Sequence, residues 1–155
     1  MYYFVLLVIF QNTGKPRRRR KQRSVWVRKG LSVKHRERYG HYTTLLNELK
    51  AEDEKAFYNY TRLPKGLYDQ VLKRVEGRIK KKDTWYRKCL PPGIKLSITL
   101  RHLACGDNYP SLSYNFRVAP NTISLAIEGV CDAINAEFAA EVIQCPTTTE
   151  EWTAI

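Results

Sequence analysis

The sequence predicts an all-α protein: a small multi-helix domain containing a helix-turn-helix, preceded by a disordered basic tail. Three observations lead there. From about residue 41 onward, apolar side chains recur at the three- and four-residue spacing of amphipathic helices. The periodic stretches are separated by short breaks, with Pro at openings and Gly at a close, where each residue is tolerated best. No stretch alternates as a half-buried strand does, and there is neither an internal repeat nor a Gly-rich phosphate loop.

In chain order, the first ten residues (MYYFVLLVIF) are almost wholly apolar. They lack the charged start and small-residue cleavage site of a secretory signal. They also fall well short of the roughly 20 apolar residues that span a bilayer. Two readings stand: a short anchor for a membrane or partner, or a translated stretch upstream of the true start or across an exon edge. Residues 15–23 (KPRRRRKQR) then place Arg17, Arg18, Arg19, Arg20, Lys21 and Arg23 side by side. Like charges at this density repel and resist burial, so the segment reads as a disordered arm. It serves as a nuclear localisation signal or phosphate-binding arm, or is a solvated tail without a dedicated partner. The tail is set at residues 1–40 and the helical domain at 41–155.

Residues 41–50 put Leu45, Leu46 and Leu49 on one helical face. Residues 53–60 carry acids in their first turn, with Phe57 and Tyr60 three apart. Pro64 opens a longer helix, at its first position, with an apolar face of Tyr68, Val71, Leu72, Val75 and Ile79; Lys80, Lys81 and Lys82 close it. After Pro91-Pro92-Gly93, residues 94–105 form a helix ending on Gly106. Its stripe of Leu96, Leu100 and Leu103, widened by Ile98, predicts deep burial. A short helix covers 112–116, and the longest periodic segment runs from Pro120 to about residue 143. Its core face is Ile123, Ile127, Val130, Ile134, Phe138 and Val142. Residues 147–151 (TTTEE) look like the capped start of a last helix.

The net charge of +12 points to a polyanionic partner, nucleic acid or an anionic membrane surface. Its placement is uneven. Residues 1–40 hold twelve Lys/Arg and one acid, and residues 62–101 hold twelve and three; residues 102–155 hold Arg117 and seven acids. Cys89, Cys105, Cys131 and Cys145 have no C-x-x-C spacing, and His35, His41 and His102 complete no zinc pattern. The cysteines read as small, mostly buried thiols in a reducing compartment, although an even count also permits two disulfides.

Residues 111–127 (SLSYNFRVAPNTISLAI) have helix-turn-helix spacing. Phe116 ends the first helix, Val118 anchors the turn, and Ile123 and Ile127 face inward. Asn121, Thr122 and Ser124 occupy the exposed first turn of the second helix, the part that enters a major groove in such motifs. The second helix has no Lys or Arg but has Glu128, Asp132, Glu137 and Glu141, which phosphate would repel. Any DNA contact is therefore confined to its N-terminal tip. Arg117 would assist, with Arg101, Lys95, Arg87, Lys88 and residues 80–82 from the central basic block. The residues alone divide evenly between a DNA reader and a structural corner.

Four pieces in order, YTTLLNEL (42–49), FYNYTRLPKGLYDQVL (57–72), PPGIKLSITLRHLACGDNYPSLSYNFRVAPNTIS (91–124) and CPTTTEEW (145–152), resemble the N-terminal region of PIF/Harbinger transposase-derived nucleases. The resemblance implies a nuclear protein whose helical front end binds DNA or a partner, a Myb-like DNA-binding protein among the candidates. It also implies that the family's acidic triad, which holds divalent metals, lies beyond residue 155. No catalytic residue, metal or cofactor is then expected in this chain. Ala119 and Leu125 depart from the pattern, which has a capping Ser and commonly a basic residue at those places. The alternatives are a module docking a Myb-like or other basic partner, or a truncated transposon relic. A complete enzyme would need Asp107, Glu128 and Asp132 as metal ligands, and they read instead as solvating acids.

Overall fold

The computed structural model describes residues 24–25, 27–85 and 88–143. The expectations placed on the apolar start, on the arginine run, on Arg87, on Cys145 and on a helix from Thr147 fall outside these residues. The described part is all-α. A 3-10 turn (Lys29–Leu31) leads into α1 (Val33–Tyr39), and a π-helical turn (Tyr42–Leu46) runs into α2 (Asn47–Glu52). Then come α3 (Glu54–Thr61), α4 (Lys65–Ile79), α5 (Pro92–Cys105), α6 (Tyr109–Phe116) and α7 (Pro120–Val142).

Local chemistry sets the ends. Ser32, Asp53 and Asn108 accept hydrogen bonds from the backbone N–H groups of His35, Ala56 and Ser111, three residues on in each case. Pro92 and Pro120 occupy the first position of α5 and α7, where a missing N–H costs nothing. Pro64 stands one place outside α4, as its capping residue. Gly106 closes α5 at φ 67°, the left-handed conformation that a residue without Cβ adopts freely. Arg62 and Arg117 end α3 and α6 in the same conformation despite their side chains, at φ 58° and 54°.

Two apolar clusters share α5. Leu96 joins Leu46, Phe57, Tyr68, Val75, Ile79, Val130 and Ala133, while Ile94 and Ile98 join Leu112, Phe116, Val118, Ile123 and Ile127. Phe57 meets Tyr68 edge to face at 5.5 Å between ring centroids. The polar residues of α5 are buried with partners: Ser97 Oγ lies 2.8 Å from Tyr68 Oη and donates to the Gly93 carbonyl, and Thr99 donates to the Lys95 carbonyl.

Three expectations change. The tail boundary at residue 40 falls too late, since α1 lies before it and buries Arg36, which donates to the Arg117 carbonyl at 3.3 Å. One interacting guanidinium tethers a helix that reads from sequence as part of a charged tail. The apolar faces of α5 and α7 run past the surface they cover, leaving Leu103 64% and Val142 74% exposed. The thiols are less buried than their type suggests: Cys105 is exposed, and Cys89 and Cys131 are half-buried and free.

Two glycines test this packing in opposite directions. A Cβ on Gly93 would lie 2.1 Å from Tyr42 Oη, whereas one on Gly77, within α4, would meet nothing within 4 Å. Gly93→Ala is expected to lower the melting temperature. Gly77→Ala is expected to raise it, by about 0.5–1 kcal/mol of stability, because alanine loses less backbone entropy in a helix. Circular-dichroism melts of both variants check the pair.

Candidate nucleic-acid interface

α6 and α7 meet at a tight corner, Arg117-Val118-Ala119. Val118 is buried, as are Phe116, Ile123 and Ile127, so the inward set read from the spacing holds the angle between the helices. Ala119 offers no side-chain cap to α7; the N–H groups of Thr122 and Ile123 both bond its carbonyl, at 2.9 and 3.0 Å. The Arg117 side chain is half-buried, and its Nε finds no hydrogen-bond partner among the described residues.

The three polar residues of the first turn of α7 separate. Thr122 lines a cleft of about 320 Å³, together with Leu125, Ala126 and Gly129 on the same helical face. Asn121 is exposed and Ser124 half-exposed, and neither lines the cleft. Both lie on the strip that continues to the exposed acids Glu128 and Asp132, Ser124 being four residues before Glu128.

The other walls of the cleft are basic. Arg36 of α1, Arg78 near the end of α4, Lys81 and Lys88 of the following loop, and Lys95 of α5 all line it; among the described residues no carboxylate does, although Glu137 pairs with Arg78 and Asp83 accepts from the backbone N–H of Cys89 at its edge. Lys95 is the least expected of these. It is only 7% exposed, because its ammonium donates to the carbonyl of Ile79, one of the last in α4, at 2.5 Å. A cation is suited to that end of a helix. Burial, and then the neighbouring charge of Lys81, lower its pKa from the ordinary lysine value. The cleft is thus a concavity of predominantly positive charge, with apolar lining that strengthens its field.

The remaining predicted contacts lie elsewhere or are engaged. Arg101 sits over the Tyr60 ring at 4.6 Å and donates to Asp107 at 3.2 Å, away from the cleft. Lys80 is 3.9 Å from Glu76 on its own helix turn. Lys82 is exposed, and its carbonyl accepts from Cys89 Sγ.

Two of the four acids of α7 that weigh against DNA binding, Glu137 and Glu141, are paired by α4. Arg74 grips Glu141 with two bonds of 2.9 and 2.8 Å, and Arg78 donates to Glu137 at 2.5 Å. The Arg74–Glu141 pair lies outside the cleft lining, whereas the Arg78–Glu137 pair borders the cleft, because Arg78 is part of that lining. Sequence alone concealed both facts, because the pairing partners are 59 to 67 residues apart. The one legible hint was the basic spacing on α4, with Arg74 and Arg78 four apart.

Comparison with known proteins brings nothing to this geometry: no protein-family model, no curated protein and no solved structure matches the chain. Among the described residues, no three His, Cys, Asp or Glu side chains gather as a metal site. No described helix is long and apolar enough to cross a membrane.

His41 ties the corner to the rest of the fold. Its backbone N–H donates to the Asn115 carbonyl at 3.0 Å, its Nδ1 lies 3.4 Å from Tyr60 Oη, and its ring packs on Phe116. Burial, then Arg101 and Arg117, push its pKa below the ordinary histidine value. The unfolded chain therefore takes up a proton near pH 6.5, where the folded chain does not, and stability falls as pH drops below about 6.5. Thermal melts between pH 7.5 and 5 are expected to show that fall, and His41→Gln is expected to flatten it.

Proposed function

We propose that this chain is a DNA-binding module, the helix-turn-helix portion of a Harbinger-type transposase-derived nuclease, acting in the nucleus and carrying no catalytic centre of its own. The observation that supports the reading is the cleft beside the first turn of α7, lined by five basic side chains, of which Arg78 is paired with Glu137, and by no carboxylate of the described residues. Phosphates of a duplex would settle on Lys81 and Lys88 at its mouth and bring the tip of α7 toward a groove. The arginines at 17–20 would add affinity without sequence preference.

Sequence readout in this scheme is narrow. Asn121 and Thr122 are the side chains at the tip free to meet a base edge, and Ser124 is followed one turn on by Glu128. The module therefore binds chiefly through the backbone. The second reading, docking of a Myb-like or other basic partner, is favoured by the exposed Glu128 and Asp132. It is weakened by the pairing of Glu137 and Glu141 with α4, which leaves fewer acids on offer.

The test is fluorescence anisotropy of the full chain with duplex DNA from 50 to 200 mM salt. Each neutralised phosphate contributes a slope of about −0.9 in log affinity against log salt. The double variant Lys81→Glu/Lys88→Glu is expected to lose roughly tenfold in affinity and about two units of slope. Unchanged affinity and slope in that variant, with loss confined to Arg17–Arg20→Ala, would remove the cleft from the interface.

A further inference from the structure

The cleft is larger than a phosphate contact requires. At about 320 Å³ it offers the space of roughly ten water molecules and falls at the lower end of small-molecule pockets. Its lining mixes two chemistries. Lys81, Lys88 and Lys95 are cationic, whereas Ile79, Leu90, Leu125 and Ala126 are apolar, with Leu125 65% exposed. One turn on from Leu125, Gly129 leaves the face of α7 open, since a Cβ there would have no neighbour within 4 Å.

Lys95 sharpens the requirement. An ammonium has three donors, and one is spent on the Ile79 carbonyl. The remaining N–H groups belong to a side chain more than nine-tenths buried, beside Lys81, in a cleft that no carboxylate of the described residues lines; the carboxylates at its edge, Asp83 and Glu137, are engaged by the Cys89 N–H and by Arg78. An anion entering the cleft would compensate a buried charge in that setting. A bare phosphate would satisfy the cationic wall and leave the leucines wet. An apolar ligand would do the reverse. A paired base in a duplex cannot reach the apolar wall, because it is held in the stack.

We propose that the cleft is a nucleoside-phosphate site: the phosphate ester lies among Lys81, Lys88 and Lys95, and the base lies flat against Leu90, Leu125 and the open face at Gly129. The nucleotide is either free or an unpaired residue of a DNA strand. The second source rests on the DNA-binding reading; the first does not.

The steric variant Gly129→Leu fills the cleft and leaves every charge in place, and it suits an open helical position. The full chain and this variant would be compared in two measurements. Thermal shift would use deoxynucleoside 5′-monophosphates against inorganic phosphate at equal concentration. Anisotropy would use a fully paired hairpin duplex without free ends against the same hairpin with one unpaired nucleotide.

The native chain is expected to melt higher with the mononucleotide than with phosphate, to prefer the unpaired nucleotide, or both. Any preference should be about fivefold or more, the factor supplied by removing roughly 40 Å² of the base's apolar surface from water. A melting shift without that preference identifies a free nucleotide, and the preference identifies a strand residue. Gly129→Leu should melt at or above the native temperature, lose either response, and retain salt-dependent duplex binding.

Absence of both responses in the native chain, or their persistence in Gly129→Leu, overturns the proposal. A mononucleotide response with no DNA binding at all would refute the DNA-binding reading alone. Duplex binding with no nucleotide response would refute the cleft proposal alone.

Discussion

α5 is buried all round from Gly93 to Thr99, and much of the described structure is arranged to cover that stretch. It sends Leu96 into one apolar cluster and Ile94 and Ile98 into the other. A helix in that position must satisfy its polar side chains internally, and Ser97 and Thr99 do so on backbone carbonyls one turn back. It must also approach its neighbours closely. Gly93 provides this, lying where a larger residue would collide with Tyr42, while its carbonyl accepts from Tyr68 Oη at 3.2 Å. The same helix carries Lys95, so the burial that organises the core also places a cation against the end of α4.

The arrangement of charge follows from that core. α4 and α7 lie side by side over α5, and their long exposed edges pair Arg74 and Arg78 with Glu141 and Glu137. Such surface pairs contribute little to stability. Their consequence is electrostatic: the last two acids of α7 are balanced by α4, while the basic loop after α4 borders a cleft that no carboxylate of the described residues lines. A chain whose linear charge map shows a basic centre and an acidic last third thus folds so that its described residues form a positive concavity.

Much of the fold was legible. The 3.6-residue periodicity gave α4, α5 and α7 with their inward faces, and Pro92, Gly106 and Pro120 marked boundaries. Phe116, Val118, Ile123 and Ile127 were read as the buried side of a corner and are buried. What escaped was whatever depends on residues far apart. α1 reads as tail because its packing rests on Arg36 reaching Arg117, 81 residues away. Lys95 reads as surface charge because nothing local announces the Ile79 carbonyl that buries it. Leu103 and Val142 read as core because periodicity reports a helical face without reporting how far along the helix that face is covered. Of the candidate site residues, Thr122 reaches the cleft, Arg101 is engaged by Asp107 and Tyr60, and Asn121 and Ser124 share a strip with acids.

Lysine footprinting by acetylation, with and without duplex DNA, tests the central claim most directly, because it reports on the native chain residue by residue. Lys81 and Lys88 should lose reactivity when DNA is bound, while Lys55, on α3 and outside the cleft, should keep its own. Protection confined to Lys15 and Lys21, with Lys81 and Lys88 as reactive as before, would contradict the account and assign DNA binding to the basic arm alone.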